Sequence, residues 1–301
     1  MTVDVVGGAW EGAFDDALGP AGAVGTPTGG TTARDRPGER LLTVRGHRLR
    51  IDVRPGTGDG PPLLLANGIG APLEILDPFV ADLDPAITVI RFDVPGVGGS
   101  PCPAVPLPYQ VHAWLVGGLL DALGHDRADI LGISWGGGLA QQFAFQNPRR
   151  CRRLVLVATA TGSVMVPGRP AVLAKMLSPR RYRDPDYARR VAGELYGGSL
   201  RSGNRESPLR TAVPAGGRRG YLYQLLGSAG WTSLPWLPFI RQPTLILAGD
   251  DDPIVPLVNA SVLRRGLPNA RLEVYPDGHL GLITRSAELA GVVADFLGAQ
   301  D

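Results

Sequence analysis

The 301-residue sequence predicts an α/β protein with a mostly parallel, twisted sheet, helices on both faces of the sheet and an inserted helical cap. Short runs rich in Leu, Val and Ile recur along the chain without polar alternation, which is typical of strands buried on both faces. Helix-length segments separate most of these runs, so strand and helix alternate. One interval, residues 161–242, is too long for an ordinary crossover connection and is therefore the predicted cap.

The first two predicted strands form a hairpin, because residues 41–56 alternate apolar and polar residues around a glycine-containing turn. Six further strands are predicted from the apolar runs PPLLLANG, AITVIRFDVPG, ADILGIS, RLVLVATA, PTLILAGDDD and ARLEVYPDGH. The segments that separate or follow these strands include three predicted helices, VHAWLVGGLLDALG, WGGGLAQQFAFQNP and SAELAGVVADFLG. The predicted core therefore comprises residues 39–160 and 243–301, and the cap lies between these two parts.

The N-terminal segment, residues 1–38, differs in texture from the rest of the chain. It is rich in Gly, Ala, Thr and Pro, and Trp10 and Phe14 are its only aromatic residues. Such a composition buries too little apolar surface to fold, so we expect a flexible extension. Its start is acidic and lacks the basic and apolar regions of a secretory signal, which favours a cytoplasmic location. The apolar runs of the chain are all well short of the ~20 residues that cross a membrane.

Charge and cysteine content exclude several classes of function. The net charge is only +2, with 30 basic and 28 acidic residues, so a nucleic-acid partner is not expected. Cys102 and Cys151 are the two cysteines, and without an export signal we interpret them as reduced thiols, although a disulfide between them is possible. The histidines are scattered and no nucleotide-binding loop occurs, so neither a metal nor a cofactor is predicted.

A G-x-S-x-G pattern places Ser134 between Gly132 and Gly136, directly after a predicted strand and before a predicted helix. A sharp strand-to-helix turn lifts a serine hydroxyl out of the sheet and leaves room only for glycine on either side. Amides at the start of the helix point towards whatever the hydroxyl attacks. Because 42 of the 301 residues are glycine, the pattern alone also fits an ordinary glycine-rich turn.

A serine nucleophile needs a base, and His279 is the one histidine that follows Ser134 along the chain. It comes directly after the last predicted strand, where the catalytic histidine of this architecture belongs. The other three histidines, His47, His112 and His125, precede the serine and are expected at the surface. His279 is therefore the predicted general base.

The base needs a carboxylate that orients it, and the sequence GDDDP follows the penultimate predicted strand. Asp252 precedes the proline that turns the chain, so we expect its carboxylate to reach His279. Asp250 and Asp277 are the alternatives, and Asp277 is very close to His279 along the chain. Two of the three consecutive aspartates, including Asp251, are expected to be solvated. Serine at position 134, where other enzymes of this architecture have a carboxylate, indicates acyl transfer.

Two backbone N–H groups are predicted to form the oxyanion hole. One belongs to Trp135, directly after the nucleophile, and the other to Ile69 in the loop NGIG that follows an early strand. Asn67 and Gly68 are expected to shape this loop. An ordinary glycine turn is the alternative interpretation.

The cap contains an aromatic segment, GYLYQLLGSAGWTSLPWLPFI, that we expect to form an apolar substrate channel. Packing between the cap helices and the core is the alternative interpretation for each residue. The predicted substrate-binding residues are Trp231, Trp236, Tyr223 and Leu226, with Tyr221, Leu225 and Phe239 as further candidates.

The sequence resembles the α/β-hydrolase superfamily, and within it the intracellular depolymerases of medium-chain-length poly(3-hydroxyalkanoate). The matching stretches span roughly residues 62 to 285, including the cap. They are NGIGAPLEILDPFV, FDVPGVGGSP, GISWGGGLAQQFAFQNPRRC, LVLVATATGSVMVPGRPAVLAKMLSPRRY, QLLGSAGWTSLPWL, QPTLILAGDDDPIVPL and DGHLGLITR. The N-terminal extension has no match to the family.

The resemblance implies an α/β-hydrolase fold and a catalytic triad of Ser134, Asp252 and His279, the same residues that chain order indicates. It also implies a bacterial serine esterase at the surface of storage granules, which cuts polyester to 3-hydroxyacyl oligomers and monomers. Neither a nucleic-acid partner nor a transmembrane segment is expected, and the sequence does not predict an oligomeric state.

Two other kinds of function remain open at this point. A soluble carboxylesterase, or a carbon–carbon bond hydrolase acting on meta-cleavage products, has the same triad and a similar cap. A non-catalytic hydrolase-fold protein that binds a ligand or coats granules is a third possibility. The complete set of serine, aspartate and histidine at the expected strand ends argues against the non-catalytic protein.

Overall fold

The computed structural model describes residues 38–176, 180, 184–202 and 217–299. The predicted N-terminal extension, with Trp10 and Phe14, lies outside the described residues except for Gly38. Parts of the predicted cap also lie outside them, so statements about the cap concern its described helices.

One sheet of eight strands organises the described part of the chain, in the order β1-β2-β4-β3-β5-β6-β7-β8. The strands are β1 (Glu39–Val44), β2 (His47–Arg54), β3 (Leu63–Ala66), β4 (Val89–Phe92), β5 (Ala128–Ile133), β6 (Cys151–Val157), β7 (Thr244–Gly249) and β8 (Ala270–Tyr275). Strands β1, β2 and β4 pair antiparallel in that order, and all other pairs are parallel. This sheet confirms the predicted α/β fold.

Helices cover both faces of the sheet. They are α1 (Asp77–Asp82), α2 (Tyr109–Ala122), α3 (Trp135–Gln146), α4 (Pro170–Met176), α5 (Pro185–Tyr196), α6 (Arg218–Ser228), α7 (Val258–Gly266), α8 (Gly281–Thr284) and α9 (Ser286–Gly298). Short 3₁₀ helices occur at Leu73–Leu76, Gly198–Ser202 and Leu234–Phe239. Within the described ranges, no helix combines the length and the apolar character needed to cross a membrane.

The central strands are apolar throughout because both of their faces are buried. In β5, Ile130 packs in the cluster that includes residues of α2 and α3, whereas Leu131 packs in the cluster that includes residues of α1 and α9. Successive strand residues point to opposite faces, so two buried faces require an uninterrupted apolar run. The uninterrupted apolar runs in the sequence therefore follow from the helices that cover both faces of the sheet.

The connection between β6 and β7 contains α4, α5 and α6 in its described part, with the last two 3₁₀ helices. Val172, Val191 and Leu195 from α4 and α5 form a small apolar cluster with Ile254 and Leu280. These helices therefore pack beside the loops that follow β7 and β8. The boundaries of a separate cap, residues 161–242, stay a prediction.

Candidate active site

Ser134 occupies the sharp turn between β5 and α3. Its backbone has φ 54° and ψ −118°, a conformation that non-glycine residues rarely adopt. A Cβ at Gly132 would lie 2.2 Å from the Gly136 carbonyl oxygen, and one at Gly136 would lie 2.1 Å from that of Ala66. The two glycines are therefore required by the packing of the turn, which supports the interpretation of G-x-S-x-G as a strained nucleophile turn.

His279 and Asp252 meet at the same edge of the sheet, since they follow the neighbouring parallel strands β8 and β7. The His279 Nδ1–H donates to Asp252 Oδ2 at 2.7 Å, and both side chains are buried. The second oxygen, Asp252 Oδ1, accepts the N–H groups of Ile254 and Val255 at 2.9 Å each. The carboxylate is thus fixed by the backbone and orients the ring, and because a carboxylate accepts, the proton is placed on Nδ1 and Nε2 is the acceptor atom.

Ser134 and His279 line one small cavity of about 40 Å³ together with Asn67, Gly68 and Ile69. The loop that follows β3 is held in place by two hydrogen bonds. Asn67 Nδ2 donates to the Pro72 carbonyl at 2.9 Å, and the Gly70 N–H donates to Gln224 Oε1 on α6 at 2.8 Å. The structure thus places the predicted oxyanion loop beside the predicted nucleophile.

Trp135, the other predicted oxyanion donor, is the first residue of α3. The N–H groups in the first turn of a helix have no acceptor within that helix. The Trp135 N–H is therefore available to a substrate at Ser134, and its role stays a prediction together with that of Ile69.

The remaining acidic residues near the site have other partners. Asp277 accepts the N–H groups of Ser199 and Gly278 at 2.8 and 2.7 Å. Burial raises the pKa of Asp277, but these hydrogen bonds outweigh burial and hold that pKa below its usual value. Asp250 is exposed, so the hydrogen bond to His279 distinguishes Asp252 from both alternatives.

Asp251 is solvated as expected, with 42% of its side chain exposed, but it also has protein partners. Its carboxylate pairs with Arg201 at 3.0 Å and accepts the Gly198 N–H at 2.7 Å. The hydrogen bond from Arg201 lowers the pKa of Asp251. Asp251 therefore ties the 3₁₀ helix of the connection to the loop that carries Asp252.

Comparison with known proteins identifies the family. Residues 61–286 match the family described as the alpha/beta hydrolase fold. The chain is an α/β hydrolase. A poly(3-hydroxyalkanoate) depolymerase of Ectopseudomonas oleovorans is 49% identical over 260 residues, which cover 86% of this chain and 92% of the relative.

Two further similarities place the hydrolase among related enzymes. A 2-hydroxymuconate semialdehyde hydrolase of Pseudomonas putida is 33% identical over 278 residues, which cover 87% of this chain and 95% of that protein. The crystal structure of a hydrolase from Pseudomonas aeruginosa PA01 superimposes with a TM-score of 0.73 at 27% identity, covering 88% of this chain and all of the other.

The expectation that His112 lies at the surface is wrong. Its side chain, on α2 of the hydrolase, is buried, and its ring lies edge-on to that of Trp135 with centroids 5.3 Å apart. Burial, with a smaller contribution from the charge of His47, lowers the pKa of His112 to about 4. The surface expectation fits His47 and His125 better, because both are partly exposed.

A second, larger cavity of about 320 Å³ is also lined by Ser134. Trp231 is the predicted substrate-binding residue that lines it. Sequence reasoning missed Tyr109, which lines the same cavity and donates from its hydroxyl to the Trp135 carbonyl at 2.8 Å. The proline-flanked start of α2 gave no signal that Tyr109 faces the site.

The other three predicted substrate-binding residues do not line this cavity. Trp236 stacks on Phe145 of α3, with ring centroids 5.4 Å apart. The Tyr223 hydroxyl contacts the Ala104 carbonyl at 3.2 Å, and Leu226 is 52% exposed. Tyr223 and Leu226 on α6 and Trp236 in the 3₁₀ helix Leu234–Phe239 therefore have surroundings other than this cavity, which the sequence did not reveal.

The additional candidates in the cap also have other environments. Tyr221 is buried and its hydroxyl donates to the Met176 carbonyl, so it connects α6 to the end of α4. Leu225 packs against the core, and Phe239 is 64% exposed. Packing, the alternative interpretation, accounts for Tyr221 and Leu225.

Proposed function

We propose that this α/β hydrolase cleaves the ester bonds of medium-chain-length poly(3-hydroxyalkanoate) to 3-hydroxyacyl oligomers and monomers. The observation that carries the proposal is the 49% identity, over 260 residues, to a poly(3-hydroxyalkanoate) depolymerase. The apolar lining of the cavity beside Ser134 also suits an alkyl-substituted polyester.

In the first step, Ser134 Oγ attacks the ester carbonyl carbon while His279 Nε2 accepts the hydroxyl proton. The carbonyl oxygen becomes an oxyanion, which the N–H groups of Ile69 and Trp135 stabilise. When the tetrahedral intermediate collapses, the carbon–oxygen bond of the ester breaks. His279 returns its proton to the departing alkoxide, which leaves as the 3-hydroxyl group of the released chain.

In the second step, water attacks the acyl-enzyme. His279 takes a proton from the water and gives it to Ser134 Oγ as the acyl bond breaks, so the enzyme is regenerated. Asp252 holds the ring throughout and stabilises its charged form. The hydrogen bond between Asp252 and His279 supports this assignment.

The physical state of the substrate determines where in the cell the enzyme acts. An insoluble polyester presents its ester bonds only at its surface, so we place the enzyme at the surface of cytoplasmic storage granules. An exposed apolar pair on α6, Leu222 and Leu226, supports contact with such a surface.

The test compares the wild-type protein and Ser134→Ala on granules with medium-length and short side chains, with the products identified by mass. We expect the wild type to release 3-hydroxyacyl products from the medium-length polymer, and Ser134→Ala to lose activity by roughly 10⁴-fold or more. A fluorophosphonate probe should label the wild type at Ser134 and leave the variant unlabelled. Matching circular dichroism spectra show that the variant is folded.

Other results would favour the other candidate functions. Hydrolysis of a ring-cleavage dienoate without release from polymer would favour the carbon–carbon bond hydrolase. Hydrolysis of small esters alone would favour a carboxylesterase. Failure of the probe to label folded wild-type protein would favour a non-catalytic protein.

A further inference from the structure

Two cavities meet at Ser134 and differ in their other walls. The smaller cavity, of about 40 Å³, is lined by His279 and the loop of Asn67, Gly68 and Ile69. The larger cavity, of about 320 Å³, is lined by Trp231 and Tyr109. A substrate whose carbonyl carbon sits at Ser134 Oγ can therefore extend in two directions.

The chemistry of ester cleavage assigns one part of the substrate to each direction. His279 must donate a proton to the departing oxygen, so the alcohol part has to leave on the His279 side. The acyl part stays bonded to Ser134 and extends away from the imidazole. The larger cavity is the space that remains for it.

We propose that the larger cavity binds the acyl unit with its alkyl side chain, and that Trp231, positioned by Gln142, limits the length of that side chain. This inference rests on the proposed ester hydrolysis and names the part of the protein that selects the acyl chain.

Trp231 is held in place from several directions. Its indole Nε1–H donates to Gln142 Oε1 at 2.8 Å, and its ring lies 4.6 Å, centroid to centroid, from that of Tyr109. Gly162 packs closely against the ring, since a Cβ at that position would lie 2.5 Å from it. The Trp231 carbonyl accepts the Ser163 N–H at 2.7 Å. The indole is thus a rigid wall of the cavity.

Gln142 is a buried amide on α3 and is 4% exposed. Its Nε2 donates to Gln146 Oε1 at 3.2 Å, which leaves Oε1 directed at the indole. A buried polar side chain costs free energy unless its hydrogen bonds are satisfied. The bond to Trp231 satisfies the acceptor and fixes the orientation of the wall, so Gln142 is a positioning residue.

The neighbouring residue Gln141 holds the segment that contains Trp231 in place through Ser233. Gln141 Oε1 accepts the Ser233 hydroxyl at 2.6 Å, and its Nε2 donates to the Gly137 and Ala160 carbonyls at 3.0 Å each. The residues on both sides of Thr232 are therefore tied to the helix that begins next to Ser134.

The first experiment measures kcat/KM for nitrophenyl esters, which keep the leaving group constant while the acyl chain lengthens. We expect Trp231→Ala to raise the ratio of long-chain to short-chain kcat/KM about 10-fold or more relative to the wild type. Trp114→Phe is the control, because Trp114 is 45% exposed on α2 and stacks under Arg45, outside both cavities. Trp231→Phe is measured alongside, in case Trp231→Ala fails to fold.

The second experiment tests the side assignment with acetate esters of lengthening alcohols. Trp231→Ala and Trp231→Phe should leave this series unchanged, whereas Ile75→Ala, in the smaller cavity, should shift it and spare the acyl series. A shift of the alcohol series by the Trp231 variants would overturn the assignment.

The third experiment tests the positioning role with a double-mutant cycle. Gln142→Leu removes the acceptor of the indole N–H, and we expect it to change the acyl-length ratio several-fold. In the Trp231→Phe background, where no N–H remains, Gln142→Leu should have no further effect on that ratio. Equal effects in both backgrounds would show that Gln142 acts only through general stability.

An unchanged acyl-length ratio in folded, active Trp231→Ala and Trp231→Phe would overturn the proposal. This outcome differs from failure of the proposed function. A wild type that cleaves nitrophenyl esters but releases nothing from polymer disproves the depolymerase, and the acyl series still decides whether Trp231 limits chain length.

Discussion

At the scale of single residues, steric requirements within a turn can be predicted from the sequence, whereas the burial of a side chain by a distant segment cannot. Gly132 and Gly136 are readable because the turn around Ser134 excludes a side chain at both positions. His112 has no such local signature. Its burial depends on Trp135, a residue of another helix, and a histidine next to alanine on a predicted helix gave no sign of it.

His112 predicts a specific pH dependence of stability. The pKa of His112 is about 4 in the folded protein, against 6.5 as its ordinary value. Between these values the unfolded chain binds a proton that the folded protein does not, so stability falls as the pH falls from about 6.5. This loss reaches about 3 kcal/mol near pH 4.

His112→Leu should remove this part of the pH dependence. The free energy of unfolding, measured in urea at several pH values from 7.5 to about 5, should fall less steeply with decreasing pH in the variant. Asp93, whose pKa burial raises to about 6, contributes in the opposite direction but equally in both proteins. Parallel curves for the two proteins would contradict the assignment of a neutral, buried His112.

At the level of elements, the junction between α5 and the 3₁₀ helix Gly198–Ser202 connects the two loops that carry the candidate base and acid. The Tyr196 carbonyl accepts the His279 N–H at 2.8 Å. The Gly198 and Ser199 N–H groups donate to Asp251 and Asp277 at 2.7 and 2.8 Å. A segment of the predicted cap thus helps to fix the backbone next to the imidazole.

Gly198→Ala should disrupt this junction. Gly198 has φ +54°, and a Cβ there would lie 1.9 Å from Asp277 Oδ1. We expect a loss of roughly 1–3 kcal/mol in the free energy of unfolding and a lower kcat for soluble esters, because the loop of His279 must shift.

Gly46→Ala is the matched control. Gly46 also has a positive φ, +83°, but a Cβ there meets no atom within 4 Å. Thermal unfolding and ester kinetics are measured for both variants. If Gly198→Ala loses no more stability or activity than the control, the close packing of the junction is unimportant.

At the level of the whole molecule, the sheet is covered on both faces, so a residue within it is shielded from solvent. The two cysteines differ in this respect. Cys151 starts β6 and is buried, whereas Cys102 is exposed in the chain after β4, and both thiols are free. Burial, with a further contribution from the charge of Asp129, raises the pKa of the Cys151 thiol far above its ordinary value. Because the thiolate is the reactive form, the raised pKa and the lack of solvent access make Cys151 unreactive in the folded protein.

A thiol reagent should therefore modify one cysteine quickly and the second only as the sheet opens. The slow phase should follow the unfolding rate with increasing denaturant, and Cys102→Ser should remove only the fast phase. Fast modification of both thiols in the absence of denaturant would show that the start of β6 opens without global unfolding.

The sequence alone determined the fold class and the order of serine, aspartate and histidine at strand ends. The apolar runs of the strands, the glycines of the tight turn and the order of residues can all be read along the chain. Only the tertiary structure decided that Asp252 rather than Asp250 or Asp277 contacts His279, and that the predicted cap residues Tyr223, Leu226 and Trp236 lie away from the cavity. Those choices depend on which segments, distant along the chain, pack against each other. The direction of a side chain at such a contact produces no hydrophobic periodicity, so it cannot be predicted from the sequence.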